Sequence, residues 1–110
     1  MKESRPIVIE YYQTENGDLP FLEWFESLQM KEQRKVLQRL DRIQLGNEGD
    51  WKSIDGPLME YRIHGLALRI YAARTKDDNR LVLLGGGKPT QKKDIKRAKA
   101  YLEDYLKSKH

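Results

Sequence analysis

The sequence predicts an α+β domain: an antiparallel sheet with a two-helix hairpin on one face and a C-terminal helix, in the order β-α-α-β-β-β-α. Residues 58–72 alternate between apolar and polar side chains in two successive segments, and the LVLL segment at 81–84 is apolar throughout. These patterns indicate three adjacent strands. Before and after this block, apolar side chains recur at helical spacing, which predicts the helices.

Length and composition indicate one domain with one core. The chain has 110 residues, of which 38% are hydrophobic and 35% charged, and its regularly spaced apolar positions argue against disorder. The absence of cysteine excludes disulfides and thiolate metal sites and is typical of a reducing compartment. No apolar run approaches the roughly 20 residues that span a bilayer, and no apolar signal segment follows Met1, so we expect a soluble cytoplasmic protein.

The N-terminal segment predicts a strand followed by a short amphipathic helix. Ile7–Tyr12 is rich in β-branched and aromatic side chains, as strands are. The turn at 14–18 ends this strand and offers Asp18 as a cap for a helix at 20–28. The apolar side chains of that helix recur at helical spacing: Phe21, Leu22, Trp24, Phe25 and Leu28.

A second helix is predicted from about Lys31 to Leu45, with Gly46 as its C-terminal stop. Its apolar stripe comprises Val36, Leu37, Leu40 and Ile43. Because only a couple of residues join the two helices, we expect an antiparallel pair that covers the apolar side of the sheet. Residues 46–57 are predicted to form a loop.

The three-strand block assigns its side chains to two faces, because successive residues of a strand point to opposite sides. One face carries the apolar side chains of the first two segments, namely Met59, Tyr61, Ile63, Leu68, Ile70 and Ala72. The opposite face carries the polar ones together with a tyrosine, namely Glu60, Arg62, Arg69 and Tyr71. Since LVLL is apolar on both faces, it is predicted to be an interior strand, joined to the preceding strand as a hairpin by KDDN at 76–79.

The final segment predicts a basic helix that is only partly committed to the core. Thr90 is a predicted N-cap. A narrow apolar stripe follows: Ile95, Ala98, Leu102, Tyr105 and Leu106. Residues 88–110 hold 8 Lys or Arg against 3 Asp or Glu, whereas residues 1–87 hold 13 against 14. This excess favours a polyanion or an acidic partner, although a solvated helix that is merely rich in lysine explains it equally well.

Arg62 and Arg69 form the first candidate site. They lie near the turn between two predicted strands, so pairing of these strands as a hairpin would bring both guanidinium groups together on the polar face. Two adjacent cations favour an anion between them, and guanidinium groups suit a phosphate. The alternative is that each arginine pairs with Glu60 or another carboxylate.

Lys88, His64 and Tyr71 are further candidates around this face. Lys88 follows three glycines, which allow close approach of the backbone, but it could equally be a solvated turn lysine. His64 lies in the turn between the arginine-bearing strands and could transfer protons, although exposed turn histidines are usually inert. Tyr71 shares the face of Arg69 and could contact a nucleic-acid base or donate a proton, or it could fill a buried position.

Other kinds of site find little support in the sequence. The glycines before Lys88 do not form a nucleotide-binding P-loop, because Val82 and Pro89 replace the glycine and the Ser or Thr of that motif. No cluster of Asp, Glu or His has ligand spacing, and no serine stands in a GxSxG context. We therefore expect no metal or cofactor.

With these residues in view, the chain resembles the RelE/ParE superfamily of bacterial toxins, and within it the HigB-like group often called phage-derived addiction module killer proteins. The resemblance covers Ile7 to about Leu102. RLDRIQLGNEGDWKSI at 39–54 is similar to that group's helix end and GNxGDxK loop, and MEYRI at 59–63 to its ELRI strand. LRIY at 68–71 is similar to its YRVY strand, and LLGGGKPTQKKDIKRAKAY to its LLCGGDKSTQxxDIxxA segment.

The resemblance implies a toxin that cuts messenger RNA, commonly on the ribosome, and that a helix-turn-helix-type antitoxin silences. In that chemistry the ribose 2′-OH attacks the adjacent phosphorus without a metal. By position, Arg62 and Arg69 would stabilise the charged phosphorane, and Lys88 would position phosphate or assist proton transfer. Tyr71 and His64 are the candidates for base and acid, and Lys92, Lys93 and Lys96 for RNA binding.

Two positions depart from the group's pattern. Leu68 replaces a tyrosine before the second arginine, and Gly87 replaces the aspartate before the lysine. If either residue transfers protons in the group, this protein would be slow or inactive. Two alternatives therefore stay open: a ParE-like inhibitor of DNA gyrase, and an inactive toxin relic that only binds its antitoxin.

Overall fold

The fold consists of five strands and three helices within residues 6–75, 79–88 and 92–108, which the computed structural model describes. The strands are β1 Val8–Tyr11, β2 Trp51–Asp55, β3 Leu58–Ile63, β4 Leu68–Arg74 and β5 Arg80–Gly87. The helices are α1 Pro20–Glu26, α2 Met30–Gln44 and α3 Lys92–Ser108. All five strands form one sheet in the order β1-β5-β4-β3-β2. None of the described helices is both long and apolar enough to cross a membrane.

The sheet is mixed, which corrects the prediction of an antiparallel sheet. Strands β2 to β5 pair antiparallel with their neighbours, as predicted for the hairpins, but β1 runs parallel to β5. A tight turn forces consecutive strands to run antiparallel, whereas a strand joined through helices can pair in either direction. The sequence between β1 and β5 contains two helices and three strands, so no turn constrained this pairing.

Strand β2 lies where the sequence predicted only a loop. It pairs antiparallel with β3 at the edge of the sheet, and its register shifts between Ser53 and Asp55. Four of its five residues are exposed, so the buried apolar alternation that marks a strand is missing. The turn to β3 consists of Gly56 and Pro57, and Gly56 adopts a φ of +57° that favours glycine.

The first face of the sheet carries the side chains that the alternation predicted to be apolar and buried. Met59, Tyr61 and Ile63 of β3 form one cluster with Leu68, Ile70 and Ala72 of β4. Helices α1 and α2 cover this cluster chiefly with four buried side chains, which are Phe21, Val36, Leu40 and Ile43. The assignment of these strand residues to one face is therefore confirmed.

Helix α3 packs on the second face, which the alternation in β3 and β4 predicted to be the polar one. Ala98, Leu102 and Tyr105 are buried there against Tyr71, Leu84 and other strand residues. The cause lies in β5, where Val82 and Leu84 face α3 while Leu81 and Leu83 face the other helices. An interior strand that is apolar on both sides needs cover on both sides. Near the β3–β4 turn, this face carries the polar side chains of Arg62 and Arg69.

The helix ends agree with the predictions only in part. Gly46 stops α2 as predicted, with a φ of +94° and its N–H donating to the Ile43 carbonyl. Asp18 does not cap α1: the N-cap is Leu19, and the Asp18 backbone instead forms the turn with Thr14. Leu37 of the predicted α2 stripe is 51% exposed. Thr90 and residues 76–78 lie outside the described residues.

Candidate functional site

The β3–β4 hairpin places Arg62 directly opposite Arg69. The pairing runs from Leu58 opposite Ala73 to Ile63 opposite Leu68, and it puts Glu60 opposite Tyr71 on the same face. Side chains at directly opposed positions lie about 5 Å apart at their Cβ atoms. The predicted convergence of the two arginines on one face is therefore confirmed.

Both arginines also have carboxylate partners, as the alternative interpretation expected. Arg69 Nε lies 3.3 Å from an oxygen of the buried Glu60, and Lys52 Nζ of β2 lies 3.9 Å from the same oxygen. An Arg62 nitrogen lies 4.0 Å from an oxygen of Asp50. We call these five residues, Asp50, Lys52, Glu60, Arg62 and Arg69, the hairpin cluster. It carries one more positive than negative charge.

The two arginines differ in accessibility. The Arg62 side chain is 43% exposed and its partner Asp50 is 38% exposed, so this ion pair is open to solvent and weak. The Arg69 side chain is only 15% exposed and donates to the Leu68 carbonyl. Its Nε is buried, and within the described residues it makes no hydrogen bond, because the approach of Glu60 is close but poorly directed. Arg62 is thus the guanidinium group that an incoming anion can reach, and Arg69 beside it is largely covered.

His64 lies at the solvent side of the hairpin cluster. Its side chain is 81% exposed, and its Nε2 is 3.7 Å from the same Asp50 oxygen that Arg62 approaches. The turn thus brings an imidazole and a guanidinium group to one carboxylate. An imidazole in this position can exchange protons with solvent and with a substrate bound at Arg62.

Tyr71 lies beneath the surface on the α3 side of the sheet. Tyr71 is fully buried, and its hydroxyl makes no hydrogen bond to any residue that the structure describes. Burial, helped by the nearby Glu60 and Asp94 carboxylates, raises the pKa of Tyr71 to about 12. The hydroxyl is therefore a neutral group near pH 7, able to donate a proton but not to accept one as a phenolate. In this conformation the ring is not open to a base of a nucleic acid.

Arg39 of α2 holds the site in place, although the sequence analysis did not single it out. Its guanidinium group donates to the backbone carbonyls of Glu48, Asp50 and Arg62 at 2.7 to 2.8 Å, and it lies over the Tyr61 ring at 5.4 Å. Burial lowers the pKa of Arg39. Position 39 lies between Val36 and Ile43 on the buried side of α2, and this spacing was a usable signal.

Lys88 lies at the end of β5, one residue beyond the position that faces Arg69. Gly87 is opposite Arg69 in the β4–β5 pairing, and Lys88 is exposed. A Cβ at Gly87 would lie 2.2 Å from an oxygen of Asp94, so the Asp94 carboxylate occupies the space that a side chain at position 87 would need. Lys92, Lys93 and Lys96 are exposed on α3 and form no ion pair with the hairpin cluster in the described part of the chain.

A cavity that the sequence analysis did not predict lies beside Lys88. It has a volume of about 480 Å³ and opens between α1, the end of β5 and α3. The sequence carried one signal for it, since three successive glycines leave a strand without side chains at this point. Among the described residues, no group of three or more His, Asp or Glu side chains is placed to hold a metal ion.

Comparison with known proteins identifies a bacterial relative. The chain is 36% identical over 88 residues to an uncharacterized protein of Haemophilus influenzae, an alignment that covers 78% of this chain and 89% of the relative. No family model matches the chain.

Proposed function

The chain belongs to the same family as the uncharacterized Haemophilus influenzae protein, and we propose that it is the toxin of a type II toxin–antitoxin module. In this proposal it cleaves messenger RNA on the ribosome without a metal ion, and a helix-turn-helix-type antitoxin silences it. The observation that carries the proposal is the direct opposition of Arg62 and Arg69 at the open end of the sheet. The sequence resemblance to RelE/ParE toxins supports it independently.

The proposed reaction is an in-line attack within the RNA strand. The ribose 2′-oxygen bonds to the adjacent phosphorus, and the bond from phosphorus to the 5′-oxygen of the next nucleotide breaks. A base takes the proton of the 2′-OH, and an acid protonates the departing oxygen. Negative charge grows on the non-bridging oxygens, where guanidinium groups stabilise it most.

The ion pairs of the hairpin cluster suit different roles for the two arginines in this reaction. Arg62 can exchange Asp50 for a phosphate at small cost, because their contact at 4.0 Å is solvent-exposed. Arg69 keeps its buried partner Glu60, and its hydrogen bond to the Leu68 carbonyl restricts the guanidinium group before substrate binds. His64 approaches the same Asp50 oxygen as Arg62 and is our candidate for proton transfer at the 2′-oxygen, and Lys88 is our candidate for positioning the phosphate or assisting proton transfer. Tyr71 stays a candidate acid only if substrate binding exposes its hydroxyl.

Replacement of Arg62 tests this proposal with little risk to the fold. Expression of the chain without an antitoxin should stop growth and fragment transcripts, and Arg62→Ala should reduce cleavage by about 100-fold or more, as loss of a donor to a developing oxyanion does. Arg34→Ala, which removes an exposed arginine of α2, is the matched control and should cleave normally. Arg69→Lys keeps a charge beside Glu60 and should lose activity without loss of folding.

Primer extension on transcripts and growth curves measure both effects, and thermal unfolding of the purified variants verifies their folding. Growth arrest with intact transcripts would contradict the nuclease proposal. If supercoiling by DNA gyrase were inhibited in the same cells, the ParE-like activity would replace it.

A second candidate is a toxin relic that binds its antitoxin but does not cleave RNA. The observation that favours it is that Arg62 and Arg69 each have a carboxylate partner, so the hairpin cluster does not require a bound anion. Harmless expression, combined with tight binding to the product of the adjacent gene, would support this candidate. Transcript cleavage that depends on Arg62 would exclude it.

A further inference from the structure

The cavity beside Lys88 lies at a free edge of the sheet. Strand β5 pairs with β1 only as far as Leu83, where the Tyr12 N–H donates to the Leu83 carbonyl. Beyond this point β5 continues to Gly87, paired with β4 on its other side alone. On the free side, the main chain of residues 84–87 makes no backbone hydrogen bond to any residue that the structure describes. The wall of the cavity therefore offers peptide N–H and C=O groups.

The three glycines at the end of β5 have different surroundings. A Cβ at Gly86 would lie about 2.4 Å from three atoms of the Trp24 indole, so the indole rests on the main chain there. A Cβ at Gly87 would collide with Asp94, whereas a Cβ at Gly85 would meet no atom within 4 Å. Gly85 thus leaves open space at the cavity wall, and a side chain at this position would fill it.

The other walls combine aromatic rings with charges of both signs. Trp24 of α1 and Tyr101 of α3 contribute the rings. Four charged side chains line the cavity, namely Glu23, Lys88, Asp94 and Arg97, and they carry no net charge together. None of them makes an ion pair within the described part of the chain. Such a lining suits a flat, uncharged ligand with several donors and acceptors better than it suits a free phosphate.

We infer that this cavity binds a nucleobase, and, on the proposed function, a base of the RNA next to the cleaved phosphate. Bases present flat apolar faces for aromatic side chains and polar edges for carboxylates, amides and peptide groups. The position also fits, because Gly87 at the cavity lies directly opposite Arg69 of the hairpin cluster. Neighbouring strands are about 5 Å apart, so an RNA strand could reach the arginines and the cavity together.

Fluorescence of Trp24 provides a direct test that needs no RNA cleavage. The chain has two tryptophans, and Trp51→Phe leaves Trp24 at the cavity as the sole reporter. The probes are the 5′-monophosphates of adenosine, guanosine, cytidine and uridine, with ribose 5-phosphate as the probe without a base. We expect saturable quenching by at least one nucleotide and none by ribose 5-phosphate.

Gly85→Leu in this background should fill the cavity and weaken that binding by about tenfold or more. Ala100→Leu adds the same side chain at an exposed position of α3 that does not line the cavity, and it should bind like the parent. Gly85→Leu should fold normally, since strands favour leucine over glycine. A thermal unfolding curve checks this point. Equal binding by Gly85→Leu, or no quenching by any nucleotide, would overturn the inference.

The remaining outcomes separate this inference from the proposed function. Nucleotide binding without transcript cleavage would support the nucleobase site and contradict the proposed nuclease activity. If Gly85→Leu still cleaved transcripts with an unchanged nucleotide preference at the cleavage site, the cavity would not bind RNA during the reaction. Quenching by the purified product of the adjacent gene, but by no nucleotide, would identify a protein-docking site and contradict the nucleobase assignment.

Discussion

Among the residues of this protein, Arg39 shows how one buried charge can organise a site. Its three hydrogen bonds end on backbone carbonyls of residues 48, 50 and 62, which belong to the loop after α2 and to β3. Asp50 and Arg62 form an ion pair, and Asp50 also approaches His64, so Arg39 positions the solvent side of the hairpin cluster without touching a substrate. In the described part of the chain, the other buried charged side chain is that of Glu60.

Removal of the Arg39 guanidinium group should therefore destabilise the protein. Arg39→Met keeps the apolar stem but removes the guanidinium donor from the carbonyls of Glu48, Asp50 and Arg62. We expect a loss on the order of 3 kcal/mol in the free energy of unfolding. Arg34→Met, on the exposed side of the same helix, should change it by no more than about 0.5 kcal/mol. Urea unfolding measures both variants. Similar midpoints for the two variants would show that the hydrogen bonds of Arg39 do not stabilise the fold.

At the scale of elements, the sequence predicted best where burial is one-sided and regular. The alternation in β3 and β4 assigned six apolar side chains to the correct face, and it placed Arg62 and Arg69 together on the other. Strand β2 was missed because its residues are mostly exposed and so carry no hydrophobic pattern. Within α2, hydropathy predicted that Leu37 is buried and did not predict burial of Arg39. Burial of Arg39 depends on three backbone carbonyls that accept its hydrogen bonds, and these acceptors lie elsewhere in the chain.

Two glycines share the same backbone constraint and offer a prediction: one lies in the loop between α2 and β2, the other in the turn between β2 and β3. Gly49 and Gly56 have φ of +64° and +57°, but a Cβ at Gly49 would lie 3.0 Å from the Arg39 guanidinium group, while one at Gly56 would meet nothing within 4 Å. Gly56→Ala should thus cost about 1 kcal/mol from backbone strain alone. Gly49→Ala should cost more, on the order of 2 kcal/mol, because Arg39 must also shift.

A double-mutant cycle identifies the source of that difference. In the Arg39→Met background the additional cost of Gly49→Ala should shrink to that of Gly56→Ala, since the crowding partner is gone. Urea unfolding of the four variants measures the coupling. If the two glycine substitutions cost the same amount in the parent chain, contact with Arg39 is not what requires Gly49.

At the scale of the whole molecule, helices on both faces leave the sheet open at two places within the described residues. One is the end of the β3–β4 hairpin with its arginines, and the other is the free edge of β5 between α1 and α3. The arginine pair could be predicted, because it follows from the alternation and from one turn. The cavity could not, because it depends on where β1 stops along β5 and on how α1 and α3 lie over that edge, and neither can be read from local periodicity.

The three layers are also linked by tyrosines whose ionisation should destabilise the whole molecule at alkaline pH. The Tyr12 hydroxyl donates to Asp104 of α3, and the Tyr61 hydroxyl donates to Glu48 in the loop after α2, each at 2.6 Å. Burial and these carboxylates raise the pKa of both, and burial raises the pKa of Tyr71 to about 12. An unfolded chain loses these protons near pH 10 whereas the folded chain keeps them. Stability should therefore be unaffected by these groups below about pH 10 and should fall as the pH rises above it.

Tyr71→Phe isolates one part of this effect. Above about pH 10, each such tyrosine lowers the free energy of unfolding by up to about 1.4 kcal/mol per pH unit. Tyr71→Phe should lose one such contribution to the pH dependence. Tyr11→Phe, which alters an exposed tyrosine, should keep the slope of the parent. Near neutral pH, Tyr71→Phe should be as stable as the parent or slightly more stable, because the hydroxyl that it removes has no hydrogen-bond partner among the described residues. Urea midpoints between about pH 8 and about pH 11 measure both variants. If Tyr71→Phe kept the pH dependence of the parent, the Tyr71 hydroxyl would ionise as readily in the folded chain as in the unfolded one.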